Sequence, residues 1–265
     1  MKKSPLDYAY SIGKVRAMER HLIRGEVFEE AVESGLDEAL RLFAESEVYS
    51  SDILHVRDSA ALEGLLEREI AGLKKLVRGL LLDDELRLLI DMKEPARSLT
   101  ACAKFKSGFL KDYLNYLIDM KNIEVFLRFY IFKEPKEDLS AHLTCEGFIK
   151  KKDLLELYDK EIAAFLNRLE YVHKDGVTID YTYHLGDAIQ ATVNENSFVK
   201  LEKAIDDLLV GILKPAKYLN FGPEPVLAYY FARRNEIDLI RMIILAKLNG
   251  VENALVKERV NTVYA

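Results

Sequence analysis

Histidines, cysteines and acidic pairs are the side chains that could do chemistry, and their spacing does not favour a catalytic or metal site. The five histidines show neither the His-Glu-x-x-His pattern nor any pair at i and i+4. His142 with Cys145 is a lone two-member candidate, and Cys102 and Cys145 offer neither a disulfide framework nor a zinc spacing. We therefore expect no metal and a reducing, cytoplasmic setting.

Signatures of nucleotide binding and of nucleophilic catalysis are missing from the sequence as well. The thirteen glycines form no G-x-G-x-x-G or G-x-x-x-x-G-K pattern, and no G-x-S-x-G elbow occurs. The acidic pairs Asp83-Asp84 and Asp206-Asp207 lie beside leucine-rich stripes, which is typical of a solvated helix face. The sequence thus predicts no catalytic residue, no cofactor and no bound nucleotide.

The charge balance is mildly acidic and uneven along the chain. With 38 basic and 44 acidic side chains the net charge is −6, which argues against nucleic acid as a partner. The longest uncharged run is the eight residues 225–232, whereas a membrane span needs about twenty apolar residues, so we expect a soluble protein without an export signal. Residues 211–265 hold eight basic and five acidic side chains, net +3, which leaves −9 for the first 210. This division suggests a protein between two different partners, although a solvated surface explains it equally well.

Apolar residues recur three or four positions apart over long blocks without proline, which predicts amphipathic helices and an all-α fold. Possible helix starts are Ser4-Pro5-Leu6-Asp7 and Ser34-Gly-Leu-Asp37. Val177 to Tyr183 alternates in polarity after a turn signal at 174–176, so a strand is an alternative there. The apolar stripes are Ile12, Val15, Met18 and Leu22; Leu62, Leu66, Ile70, Leu73, Val77 and Leu80; Leu154, Tyr158, Ile162, Phe165 and Leu169; and Phe198, Leu201, Ile205, Leu208 and Ile212.

Internal similarity indicates related helical lobes. The pentapeptide Leu-Ile-Asp-Met-Lys occurs at 89–93 and again at 117–121. Residues 116–128 also align without gaps to 229–241, with tyrosine, asparagine and arginine at the same spacing. The two separations, 28 and 113 residues, are too unequal for a solenoid of short repeats. Chance similarity between leucine-rich helices remains the alternative.

Aromatic residues are the other concentrated feature, with fourteen tyrosines and twelve phenylalanines but no tryptophan. They cluster at 126–132 and at 229–231. Packing in the core explains such clusters, and an interface with another protein is the alternative, because tyrosine and arginine are enriched in protein contacts.

Three separated segments resemble one known family. Residues 222–241, continuing to 247–250, resemble the C-terminal signature of the C subunit of V-type and archaeal-type (A-type) ATP synthases, the counterpart of the eukaryotic d subunit. Residues 8–19 resemble the first helix of that family, and residues 119–128 resemble its middle repeat. The three matches occur in the family's order, and 171–197 follows the family poorly.

The resemblance implies a funnel of three similar helical lobes with a pseudo-threefold arrangement. We expect lobes at 1–100, 101–190 and 191–265, with the N-terminal helix packed near the third lobe. In the family this subunit has no catalytic role: it docks the rotating central stalk, through stalk subunits of the D and F type, onto the membrane proteolipid ring, and it transmits torque for proton or sodium transport. It would then lie at the cytoplasmic face of the membrane through protein contacts alone.

The resemblance also points to candidate partner-binding residues. Arg233, Arg234 and Arg241 are candidates for contacts with acidic groups of the stalk or ring, although Glu236 and Arg241 could instead join one lobe to the next. The other candidates occupy the matching motifs, again with structure between lobes as the alternative. The complete set is Arg16 with its neighbour Glu19, Asn122, Arg128, Tyr229, Arg233, Arg234, Glu236 and Arg241. Two other interpretations stay open, a soluble all-helical adaptor or scaffold unrelated to rotary ATPases and a helical enzyme.

Overall fold

A computed structural model gives the fold of most of the chain. It describes residues 4–46, 51–91, 108–143, 145–174 and 177–265. Several sequence features therefore lie outside the described residues: Cys102, the last two residues of the first pentapeptide, the turn signal at 175–176 and the expected lobe boundary at 100.

Helices dominate the described residues, which confirms the prediction of an all-α fold. In the same residues, three short 3₁₀ turns accompany them at Pro5–Tyr8, Ser51–His55 and Lys214–Tyr218. The helices in the described part of the chain are α1 (Ala9–Glu19), α2 (Gly25–Glu33), α3 (Leu36–Glu45), α4 (Ser59–Leu80), α5 (Asp84–Asp91), α6 (Phe109–Phe132), α7 (Lys136–His142), α8 (Lys151–Leu157), α9 (Ile162–Glu170), α10 (Thr182–Glu195), α11 (Val199–Leu213), α12 (Glu224–Leu248) and α13 (Asn253–Arg259).

Most of the apolar stripes lie where the periodicity predicts buried helix faces. In α4, every member of the stripe except Ile70 is buried. The stripe from Leu154 to Leu169 is the exception to a continuous helix, because the chain leaves the helical conformation between α8 and α9. Leu154 on α8 and Phe165 and Leu169 on α9 are nevertheless buried. Two short helices therefore bury the apolar residues that a single helix was expected to bury.

Two local predictions have different outcomes. Ser4 caps the first turn as predicted, because its side chain accepts from the amide of Leu6 while Asp7 accepts from the amide of Ser4. The second predicted cap is wrong: α3 begins after Gly35 without a side-chain cap, and the hydroxyl of Ser34 donates instead to the carbonyl of Ala31.

The strand alternative is confirmed over a shorter range than 177–183. Strand β1 (Val172–Lys174) pairs in antiparallel register with β2 (Val177–Ile179), with Val172 opposite Ile179. Both of these side chains are buried. The alternation ends where α10 begins at Thr182, so the last residues of the predicted strand belong to a helix.

The chain divides into two compact units. The first comprises Met1–Asp91 and Val210–Ala265, and the second comprises Met92–Leu209. In the first unit, α12 packs against α1, α2, α3 and α4. Fourteen of its 25 residues are buried, so α12 is a core helix on several faces rather than a surface helix with one apolar stripe.

The second unit is built around α6, which packs against α7. The ring of Phe126 on α6 stacks on Phe165 of α9 with 4.2 Å between the ring centroids, and the ring of Tyr158 meets Phe126 edge-on. The hydroxyl of Tyr158 donates to the carbonyl oxygens of Phe129 and Glu134 at the end of α6. The aromatic cluster at 126–132 therefore supplies much of the core of this unit, while Phe132 remains 62% exposed.

Candidate interaction surface

Three of the predicted partner-binding residues are buried on α12. Tyr229, Arg233 and Glu236 are each less than 5% exposed. The guanidinium of Arg233 pairs with the carboxylate of Glu236, which also accepts a hydrogen bond of 2.7 Å from the backbone amide of Ile23. These contacts attach the segment between α1 and α2 to the core helix.

Burial raises the pKa of Glu236 from its ordinary value to about 7, and the opposing charge of Arg233 only partly offsets this effect. A carboxyl group in such an environment holds its proton to a higher pH than it would in water. The Arg233–Glu236 pair is thus a structural feature of the core whose protonation depends on the fold.

Arg234 and Arg241 lie on the same helix and are partly exposed. The Nε atom of Arg241 is 3.0 Å from a carboxylate oxygen of Glu63 on α4, and Arg241 also pairs with Asp238. Arg234 is 3.8 Å from Asp238, a long and weak contact. About a quarter to a third of each arginine side chain is exposed, so contact with a partner stays a prediction for these two residues.

Of the two candidates on α6, one is buried and the other is partly exposed. Asn122 is fully buried and its amide donates to the carbonyl oxygen of Cys145 at 3.1 Å. Arg128 is partly exposed, pairs with Glu124 and Glu202, and places its guanidinium carbon 4.3 Å from the centre of the Phe198 ring.

The aligned asparagines in α6 and α12 have matching surroundings. Each long helix is followed by a helix of seven residues, α7 or α13. The segment after that short helix then bonds to the asparagine. The side-chain amide of Asn122 donates to the carbonyl of Cys145, and the side-chain amide of Asn261 donates to the side-chain oxygen of Asn235. The repeat seen in the sequence therefore extends to the arrangement of the chain around it.

The ends of the two long helices match as well. Each is followed by a residue in the left-handed conformation, Lys133 with φ 54° after α6 and Gly250 with φ 66° after α12. The next amide bonds back across the turn, from Glu134 to the carbonyl of Phe129 and from Val251 to that of Ala246. Both ends have the hydrogen bond of a Schellman cap, so the structural similarity includes the turn.

Asp119, which the sequence does not single out as a site, is an anchor within the second unit. It is fully buried and accepts hydrogen bonds from the amides of Phe148 and Ile149 and from the hydroxyl of Tyr181. The repeated pentapeptide contains this residue but does not identify its role. The equivalent aspartate of the first copy, Asp91, is partly exposed and pairs with Arg78.

A cleft in the first unit gathers several cations. It has a volume of about 480 Å³ and its charged lining residues are Arg16, Glu19, Arg20, Arg24, Glu26 and Lys217. Burial, reinforced by the nearby positive charges of Lys214 and Arg16, lowers the pKa of Lys217. Of these cations only Arg16 is a candidate from the sequence, because the others come together through folding and share no motif.

Large exposed apolar side chains follow the cleft residue Lys217 in the chain and also occur near the start of the chain. We call the set the apolar patch: Leu6, Tyr10, Tyr218, Leu219 and Phe221, of which Tyr218 is 83% exposed. Arg16 links the two features, because it lines the cleft and donates to the carbonyl of Leu219 at 2.8 Å.

A turn at Gly222 brings the 218–221 segment to the start of the chain. Gly222 adopts φ 95°, a conformation that other residues rarely take, and its amide bonds to the carbonyl of Pro5. Phe221 and Leu6 are thereby brought close together as neighbours of the two bonded residues.

Metal sites and membrane-spanning helices can be assessed only for the residues that the structure describes. Across the described ranges, no group of three histidine, cysteine or acidic side chains is arranged to hold a metal ion. None of the described helices is both long and apolar enough to cross a membrane.

The fold and these surfaces define a predominantly helical protein with an internal repeat that relates α6 to α12. The chain belongs to the ATP synthase (C/AC39) subunit family, whose model matches residues 85–259.

Two curated relatives are similar to part of the chain. The C subunit of the V-type sodium ATPase of Enterococcus hirae is 29% identical over 147 residues, covering 56% of this chain and 42% of the relative. The C subunit of the A-type ATP synthase of Methanosarcina mazei is 31% identical over 179 residues, covering 64% of this chain and 43% of the relative. The matched region thus spans less than half the length of either relative.

Proposed function

We propose that the chain is a non-catalytic connector in a rotary ATPase of the V type or A type, joining the central stalk to the membrane ring. The observation that carries the proposal is membership of the ATP synthase (C/AC39) subunit family over residues 85–259. The names of both relatives, each the C subunit of such an ATPase, agree with it. In this role the chain binds no nucleotide and forms no covalent intermediate.

A connector must resist deformation, because the work of ion movement passes through it as torque. One elementary charge crossing 100 mV makes about 2.3 kcal/mol available, and several charges act in each turn. Helix α12 is 25 residues long and therefore spans about 37 Å, and it is buried among four other helices. Close-packed helices of this kind have low compressibility and suit the task better than loops would.

We propose further that the whole fold is a funnel of three related lobes. The matching surroundings of Asn122 and Asn235 support two of the copies. In solution, a compact globule of this length has a radius of gyration of about 18 Å, and a funnel should exceed that value in small-angle scattering.

The proposed partners are stalk subunits of the D and F type on one side and the proteolipid ring on the other, at the cytoplasmic face of the membrane. Partly exposed arginines such as Arg234 and Arg241, and the basic cleft with its apolar patch, are suitable surfaces for them. Buried Arg233 and Glu236 would act indirectly, by holding the segment at Ile23 against α12.

A pull-down with purified stalk and ring subunits tests the proposal. The tagged chain is expected to retain both, and Arg234→Glu is expected to weaken one of the two interactions. Arg233→Glu is unsuitable for this test, since it would place two carboxylates together in the core. Lys75→Glu is the matched control, because Lys75 is an exposed cation on α4. Retention of neither subunit by the unaltered chain would instead favour an adaptor unrelated to rotary ATPases.

A further inference from the structure

The basic cleft of the first unit contains two arginines, Arg20 and Arg24, whose side chains have no acidic partner among the described residues. The guanidinium of Arg16 already has three partners: Glu19 at 2.7 Å and the carbonyls of Ala216 and Leu219 at 2.8 Å. Within the described part of the chain, the side chains of Arg20 and Arg24 form no hydrogen bond or ion pair, and both residues are exposed. They are therefore available to a ligand from outside.

Lys217 adds a third available charge. Its ammonium group lies 4.6 Å from the centre of the Tyr264 ring. Burial and then the positive charge of Lys214 lower its pKa, and the negative charge of Glu19 offsets this only in part. A lowered pKa on a half-buried lysine means that a nearby anion would favour the charged ammonium and so offset the cost of its burial and of the neighbouring positive charge. The cleft is open to solvent and lined by Arg20, Arg24 and Lys217. Its unpaired positive charge would favour binding of an anion.

Two features decide which kind of anion fits. Glu19 and Glu26 also line the cleft, and they would repel a dense polyanion such as polyphosphate or nucleic acid more than a few spaced carboxylates. The exposed patch of Leu6, Tyr10, Tyr218, Leu219 and Phe221 adjoins the cations and offers nothing to a phosphate group. Aromatic side chains beside arginines are instead the residues that dominate binding energy at protein interfaces.

We propose that the cleft and the apolar patch together bind an acidic segment of a partner protein. Its carboxylates pair with Arg20, Arg24 and Lys217, and an apolar side chain next to them packs on Tyr218 and Phe221. Which partner supplies the segment depends on the proposed connector function. The acidic and apolar character of the segment follows from the surface alone.

The test measures binding of a fluorescent peptide that alternates glutamate pairs with leucine, by fluorescence anisotropy with the full chain. Arg20→Glu combined with Arg24→Glu is expected to weaken binding by more than about tenfold. The matched control is Lys75→Glu combined with Lys152→Glu, which makes the same change in net charge at exposed cations outside the cleft. Tyr218→Ser is expected to weaken binding without changing its salt dependence. Because all these side chains are exposed, thermal melts should be nearly unchanged.

The outcomes separate this inference from the proposed function. Equal binding by the cleft variant and the control variant, or equal binding of a peptide with glutamine in place of glutamate, would overturn the inference. So would displacement of the peptide by inorganic polyphosphate at lower concentration than by free acidic peptide, which would mark a phosphate site. If the unaltered chain retains stalk and ring subunits in the pull-down but the peptide result is negative, the connector function stands and the inference fails. If the peptide result is positive but the unaltered chain retains neither stalk nor ring subunits, the acidic-segment site stands and the connector function fails.

Discussion

Removal of the Asp119 carboxylate should strongly destabilise the second unit. The side chain is fully buried and accepts from the amides of Phe148 at 2.9 Å and Ile149 at 3.0 Å and from the hydroxyl of Tyr181 at 2.6 Å. Burial and the Asp119 charge raise the pKa of Tyr181 well above its ordinary value, so the phenol keeps its proton and remains the donor. Asp119 thus fastens the segment before α8 and the segment before α10 to α6.

The expected loss can be worked out from these three contacts. A buried donor left without a partner costs about 1 to 3 kcal/mol, and hydrogen bonds to charged groups lie at the upper end. For Asp119→Ala we expect a fall in the free energy of unfolding of about 3 to 6 kcal/mol, less than the full sum because the site can relax or admit water. Tyr181→Phe removes one bond and should cost about 1 to 2 kcal/mol.

Urea denaturation and amide hydrogen exchange measure these effects. The matched control is Asp91→Ala, which alters the same residue of the identical pentapeptide where the side chain is 38% exposed and paired with Arg78. That change should cost less than about 1 kcal/mol. In Asp119→Ala, the amides of Phe148 and Ile149 should lose exchange protection. Equal stability of the two alanine variants, with both amides still protected, would refute the assignment of Asp119 as an anchor.

Three further predictions concern other contacts. Gly147→Ala should destabilise by about 1 to 3 kcal/mol, because the added Cβ would lie 2.5 Å from the carbonyl oxygen of Asn115; urea denaturation measures it, and a neutral result would contradict the close approach. Glu236 has a pKa raised to about 7 in the folded chain, so its stabilising contribution is complete below about pH 4.5 and is lost as the pH rises through 7. Glu236→Gln should therefore remove about 3 kcal/mol of pH dependence between pH 5 and pH 8, and an unchanged slope of stability against pH would exclude that pKa. Arg241→Ala should cost less than about 1 kcal/mol despite its pairing with Glu63, since both side chains are partly exposed, and a larger loss by thermal unfolding would indicate a stronger contact.

The helical elements follow from the sequence because their signal is local. The stripe in α4 defines a buried face at a 3.6-residue period, and Ser4 with Pro5 marks a helix start through contacts within four residues. The break between α8 and α9 was not predictable in this way, since the apolar spacing continues across it. There the hydroxyl of Tyr158 is held by carbonyls at the end of α6, a contact between residues far apart in sequence.

The polar anchors and the cleft were also beyond local patterns. The same pentapeptide places Asp91 at the surface and Asp119 in the core, so the letters alone do not determine the environment. Lys217 joins Arg20 and Arg24 only when the chain folds, because nearly two hundred positions separate it from them. The resemblance of 222–241 to a known family was the stronger guide to function.

The most direct test of the connector function is assembly of stalk and ring subunits with and without this chain. Stalk subunits of the D and F type and a detergent-solubilised proteolipid ring from the same source would be mixed and separated by size-exclusion chromatography. The proposed function predicts that stalk and ring elute together only when the chain is present, in a complex that contains all three. Co-elution of stalk and ring to the same extent without the chain, or separate elution of the chain from both, would contradict it.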